Sequence, residues 1–298
     1  MFPSDDAIRT KADLGKKLFN DPILSLDRSV SCASCHKPEF AFADTTAFSK
    51  GIFGTLTFRN TPSVLNMKSR PHYFWDGRAS TLEEQALMPI ENPDEMGLPI
   101  DSAIARLNNS EEYTRLFKKI YGRKPNRKNL ASAFAAFERT LETVDSKFDD
   151  WANGLIELSP EEERGRLLFT GSKAKCFDCH FMEDFTDDRF KNIGLYDGEE
   201  LKDVGRFGIT KDSADLGKFK TPGLRNIAVT APYMHNGMFE TLDQVMAYYN
   251  TPGHFVDKPI NIDSSLAKPL GLTPQERKDI VAFLHTLTDK AFLRKASK

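Results

Sequence analysis

The sequence predicts a mainly α protein made of two domains of one design, with long loops and little β structure. Three observations predict it. Apolar residues recur at helical spacing in the middle of the chain, alternating strand patterns are scarce, and a set of short motifs occurs twice in the same order. The 298 residues are enough for two ordinary domains, expected at 1-154 and 155-298. Hydrophobic residues at 40% and charged residues at 28% describe a globular chain. A formal charge of −2 with no Lys/Arg tract argues against nucleic acid as a partner. No apolar run approaches the ~18 residues of a membrane span, so membrane insertion is not expected.

The repeat opens with "LGKKLFNDP…SCASCH…FAD" at Leu14 to Asp44, which resembles "RGRLLFTGSKAKCFDCH…FTDD" at Arg164 to Asp188. Downstream, "TPSVLN" (Thr61 to Asn66) matches "TPGLRN" (Thr221 to Asn226), and "WDGRASTLEEQ" matches "HNGMFETLDQV". The intervals agree: Thr61 to Gly77 spans as many positions as Thr221 to Gly237. Between the copies, "DSAIARLNNSEEYTRLFKKIYG" and "NRKNLASAFAAFERTLETVDSKFDDWANG" have helical periodicity. The next helix opens with Ser159 as N-cap, Pro160 at the first turn and Glu162 completing a capping box, and Gly171 suits its end. Thr273, Pro274 and Glu276 repeat that device before "RKDIVAFLHTLTD".

The four cysteines, Cys32, Cys35, Cys176 and Cys179, form "CASCH" and "CFDCH" with none left over. C-x-x-C-H reads as covalent haem attachment: two thioethers to the vinyl groups, and an imidazole, His36 or His180, beneath the iron. The other reading pools the four thiolates into one structural zinc site, which has no need for a His after each pair. Two covalent haems c imply assembly outside the cytoplasm. A periplasmic location is therefore expected, with a leader absent from "MFPSDDAIRTKADLGKKLF" because it has been cleaved or omitted.

What fills the sixth position on each iron decides the chemistry: a strong ligand makes an electron carrier, an open site admits peroxide. Among the other histidines, His285 reads as a surface residue and His254 as a solvated loop residue. His72 and His235 lie near the repeated turn, within reach of a haem edge or propionate. Counted from the shared Thr-Leu, Tyr249 falls where the first copy has Pro89. If that position faces iron, the second haem receives a phenolate and the first receives no donor. Tyr249 also reads as an ordinary half-buried helix tyrosine. Met234, Met238 and Met246 read as packing residues.

Through "CASCH", "RNTPSVLN", "FWDGRASTLEEQ", "NPDEMG", "CFDCH", "TPGLRNIAVTAPYMHNG" and "VMAYY", nearly the whole chain resembles the bacterial di-haem cytochrome c peroxidases, and within them the MauG-like branch. The resemblance implies an N-terminal domain holding a peroxide-reacting haem and a C-terminal domain holding an electron-transfer haem. It places Glu95 over the open face of the first haem as acid/base, with Gln85 sharing the pocket. Trp75 would lie between the haems as a relay, a role compatible with packing. One Ca²⁺ would bind Asn60 through its side chain and Thr230 and Pro232 through carbonyls. His235 would support the second haem's propionate. The sequence departs from the classical peroxidases in two places, the second of them shared with the MauG-like branch. Ile52 stands where they carry a histidine that caps the first haem, and Tyr249 stands where they place a methionine on the second.

The resulting expectation is a peroxide-dependent di-haem oxidoreductase. Peroxide reacts at the first haem, and oxidising equivalents shared with the second are used on a protein or other substrate. The alternative is a cytochrome c peroxidase that reduces H₂O₂ to water with electrons from a small cytochrome or copper protein. A non-catalytic di-haem carrier is the third reading, opposed by Glu95, Gln85 and the missing capping histidine. "GSKAK", before Cys176, contains no aromatic exit point, so no particular protein substrate is carried over.

Overall fold

The computed structural model describes residues 7–293; the first six residues, and with them the chain start read above for a leader, lie outside this range. The chain divides into two compact units, Met1–Pro71 with Ala79–Glu142, and His72–Arg78 with Thr143–Lys298. Each unit contains one C-x-x-C-H motif. The fold is mostly helical, and the paired strands among the described residues form one small two-stranded sheet.

In the first unit, α1 (Lys11–Asn20) begins at a Thr10–Asp13 capping box. α2 (Leu82–Gln85) is capped by Thr81, α3 is Ile100–Asn108, and α4 (Glu111–Tyr121) runs from Ser110 to a left-handed Gly122. α5 (Arg127–Glu138) starts at an Asn126–Asn129 box. The core gathers Leu14, Leu18 and Phe19 of α1, Tyr113 and Phe117 of α4, and Leu130, Phe134 and Phe137 of α5. Burying each such side chain contributes roughly 1.5–3 kcal/mol. α1 and α5 cross closely at Gly15, where an added Cβ would stand 1.9 Å from the Ala133 carbonyl oxygen and 2.8 Å from Phe137 Cβ.

In the second unit the second linker stretch resumes as α6 (Lys147–Ala152), after an interruption that follows Glu138. α7 (Pro160–Thr170) has the expected Ser159–Glu162 box and ends at Gly171. β1 (Phe190–Lys191) pairs antiparallel with β2 (Phe219–Lys220). α8 (Leu242–Asn250) starts at a Thr241–Gln244 box, the counterpart of the Thr81 cap, and α9 (Pro274–Thr286) has the expected Thr273–Glu276 box. α7 and α9 cross at Gly165, whose Cβ would stand 1.9 Å from the Asp279 carbonyl oxygen and 2.9 Å from Phe283 Cβ. The crossing of the first unit is thus repeated residue for residue. The aromatic contact beside it recurs as well: Phe19–Phe137 and Phe169–Phe283 each have centroids 5.2 Å apart.

Candidate functional site

The two motifs meet the same backbone device. Cys32–Cys35 is one helical turn, and His36 follows it with Nδ1 3.1 Å from the Phe42 carbonyl. Cys176–Asp178 is a 3₁₀ turn, and His180 Nδ1 lies 2.8 Å from the Phe185 carbonyl. A carbonyl can only accept, so in each ring Nδ1 carries the proton and Nε2 keeps its lone pair for a metal. Burial holds both imidazoles below their ordinary value, while the carbonyls of Phe42 and Pro62, and of Phe185 and Pro222, pull the other way. No disulfide joins any of the four cysteines. Burial pushes Cys35 and Cys179 up to about 11 and Cys176 up to about 12. Two thiols and one neutral, oriented imidazole per unit fit a covalently attached haem.

Glu95 is half-buried in the first unit. Asn92 Nδ2 donates to its Oε1 at 2.7 Å, and its backbone carbonyl accepts from Ile52 N at 2.9 Å. Its charge reaches the motif. Burial is the main cause that raises the Cys32 thiol, followed by the negative charge of Glu138, with Glu95 also contributing; Glu95 adds to the rise at Cys35 too. Ile52 is 3% exposed and supplies no ligand atom where the capping histidine would stand. Gln85 closes α2 half-buried.

Tyr249 on α8 is half-buried, and its ring lies 5.6 Å from Tyr248. The two neighbours differ in their hydroxyls: Tyr248 donates to the Ile193 carbonyl at 2.5 Å, whereas Tyr249 has no hydrogen-bond partner among the described residues. Burial raises the Tyr249 phenol above its ordinary value, and Cys179 and Cys176 of the second motif add to the rise.

Trp75 belongs to the second unit, through the segment His72–Arg78. Its carbonyl accepts from Lys220 N at 2.7 Å, and Arg206 Nη1 donates to the carbonyls of Asp76 (2.9 Å) and Gly77 (3.2 Å). The Trp75 ring meets His235 edge-on at 6.5 Å, and His235, 4% exposed, stacks on Phe219 at 3.7 Å. His72 packs against Phe190 at 5.3 Å, with Nδ1 buried and unpartnered. Asn60 is buried in the first unit, its amide nitrogen donating to the carbonyls of Thr46 (3.2 Å) and Ala47 (3.3 Å). Thr230 and Pro232 lie in the second unit, on either side of Ala231 and its cis peptide bond to Pro232. Met246 is buried and Met234 packs on the core, but Met238 is exposed, because the Gly237 turn carries it outward; it is not a packing residue.

Asn92, Arg206 and Phe219 were not anticipated from the sequence. Asn92 could have been found, since it opens the quoted "NPDEMG". Arg206 and Phe219 act across distances in the chain that no local pattern marks. The exposed aromatic side chain nearest the second motif is Phe177, inside it, with its ring 6.2 Å from Phe181.

A family model described as "Di-haem cytochrome c peroxidase" matches residues 9–156. The methylamine utilization protein MauG of Methylorubrum extorquens is 40% identical, over 93% of this chain and 78% of the relative. The cytochrome-c peroxidase IdrP1 of Denitromonas iodatirespirans is 36% identical, over 96% of this chain and 84% of the relative. A crystal structure of a MauG-like protein associated with microbial copper homeostasis superposes with a TM-score of 0.84 at 35% identity, covering 95% of this chain and 90% of that one.

Proposed function

This chain belongs to the di-haem cytochrome c peroxidase family, and from that premise we propose that it is a periplasmic, peroxide-dependent oxidoreductase of the MauG-like kind. The observation that carries the reading is Tyr249, a half-buried phenol without a hydrogen-bond partner among the described residues, within the electrostatic reach of Cys176 and Cys179. Haem attached at the two motifs would supply the redox chemistry, peroxide cleavage at the first site and storage of oxidising equivalents at the second. His36 would hold the first iron, His180 and Tyr249 the second, and the four cysteines would form the thioethers. An anionic phenolate favours the higher oxidation states, which suits storing oxidising equivalents better than accepting electrons from a high-potential donor.

Glu95 carries a proton from the near to the far oxygen of peroxide. Asn92 fixes one of its oxygens and so orients the carboxyl for that transfer. Gln85 shares the pocket, and Ile52 keeps it free of a protein ligand. Trp75 relays electrons, held by Lys220 and Arg206, and His235 supports the second site.

Low-temperature electron paramagnetic resonance of the ferric protein, before and after an equivalent of H₂O₂, tests this reading. One high-spin and one low-spin signal that collapse together are expected. Two low-spin signals indifferent to peroxide would refute it. Fast steady-state turnover with a reduced small cytochrome would instead favour the cytochrome c peroxidase reading.

A further inference from the structure

The proposed mechanism leaves several buried carboxyls unused, and one of them differs from the rest in its surroundings. Glu138, the last residue of α5, is 5% exposed, and among the described residues its side chain accepts no hydrogen bond. Phe137, next to it in the chain, packs on Phe19 at 5.2 Å, and the Phe19 ring lies 6.2 Å from that of His36; in keeping with this, the charge of Glu138 acts on the Cys32 thiol. The neighbouring cation offsets its burial only in part. Arg139 is engaged through both terminal nitrogens by Glu83, at 2.7 and 2.9 Å.

The repeat supplies an internal control. Ala133 matches Asp279 and Phe137 matches Phe283 at the two helix crossings, so Glu138 matches Leu284. Leu284 is also 5% exposed. The second unit therefore builds the same corner of the same fold from an apolar side chain of similar length. A buried carboxyl without a partner costs stability that Leu does not. The fold does not require it, and it stands only in the unit assigned to peroxide.

We propose that Glu138 is a proton-exchanging carboxyl of the first haem site, releasing its one proton when that site loses one electron to peroxide and regaining it when that electron is returned. The inference rests on the assignment of the first unit as the peroxide site. Reducing H₂O₂ to two waters consumes two electrons and two protons, and Glu95 only moves a proton within peroxide. Glu138 accounts for one electron and one proton; the other electron comes from the second site and the other proton from solvent. Losing the proton with the electron keeps the net charge of the buried site constant, avoiding the cost of an uncompensated buried charge. The electron donor restores the electron, and a proton from solvent restores the carboxyl.

The protonation state agrees. Burial raises the Glu138 carboxyl to about 8; Arg139 opposes the rise and Glu83 adds to it, so the group carries a proton at neutral pH. The charged groups on the helices packed against α5 point elsewhere: Lys17 of α1 pairs with Glu112, Asp13 caps Thr10, and Arg106 of α3 donates to the Ile23 and Ser25 carbonyls.

The test is a spectroelectrochemical titration of the holoprotein at several pH values, with the first haem followed through its high-spin signal. Wild type should show a first-haem potential that falls with pH by one proton per electron across the neutral range, and an infrared band of a protonated carboxylic acid that changes on oxidation. Glu138→Gln should lose both and leave the second haem's pH response intact. Glu138→Leu should also lose both and unfold at a higher temperature, as Leu284 predicts. A pH slope that survives Glu138→Gln, or a wild type with no slope, overturns the proposal. If the slope is lost but peroxide does not react at the first haem, the proton link stands and the peroxide assignment falls.

Discussion

Gly15→Ala is a one-carbon perturbation of the contact on which the first unit is built. The added Cβ would lie 1.9 Å from the Ala133 carbonyl oxygen, against the ~3.5 Å of an ordinary non-bonded contact. The obstacle is backbone, with Phe137 Cβ at 2.8 Å beside it, so no rotamer change relieves it. α1 and α5 must part, at an overpacking cost of about 3 kcal/mol. Replacing a helix-interior glycine by alanine returns about 1 kcal/mol of helix propensity, in the opposite direction. The net loss is about 2 kcal/mol. At the few degrees per kcal/mol expected for a domain of this size, the first unit should melt roughly 5–10 °C lower. The assay is thermal unfolding followed in the far-ultraviolet and at the haem absorption, with Gly253→Ala as control, since a Cβ there meets nothing within 4 Å. Gly15→Ala should disturb only the first haem's signals, and Gly165→Ala only the second's. An unchanged or raised melting temperature for Gly15→Ala would refute the close crossing and, with it, the residue-for-residue repeat.

Three further outcomes are expected. Glu95→Gln should leave both haem spectra intact and slow the peroxide reaction by about 10²–10⁴-fold, the range of a lost proton shuttle, as measured by stopped-flow mixing with H₂O₂. Tyr249→Phe should alter the second haem's resonance signal alone; a perturbed first haem would mean that the two repeats have been aligned in the wrong register. Asp279→Asn probes pH dependence: the Arg164 hydrogen bonds hold the Asp279 carboxyl below its ordinary value. A depressed acid contributes stability that is present above the unfolded carboxylate value and lost as pH falls through the folded one. The variant should therefore melt lower at neutral pH and show a shallower decline on acidification, read from melting temperatures across an acid series.

Much of this protein could be read from the sequence because the chemistry concerned is local. A C-x-x-C-H unit places two thiols and an imidazole within one turn whatever surrounds it, and the boxes at Ser159 and Thr273 satisfy helix N–H groups three residues away. Those signals, and the equal intervals of the repeat, were sufficient for the helical plan in two units. Other features were decided only by tertiary packing. Gly15 and Gly165 look like weak points in helices until a second helix arrives more than a hundred residues later and leaves no room for a Cβ. Trp75 reads as part of the first copy, yet Lys220 and Arg206 hold its turn in the second unit, through backbone carbonyls that any residue would present. Glu138 closes a helix in a run that reads as amphipathic, where a charged residue is taken for surface. Its burial follows from the crossing of α1 and α5 and from the ion pair between Glu83 and Arg139. Local pattern specifies which atoms are available, and long-range packing determines which of them are taken out of water and held against one another.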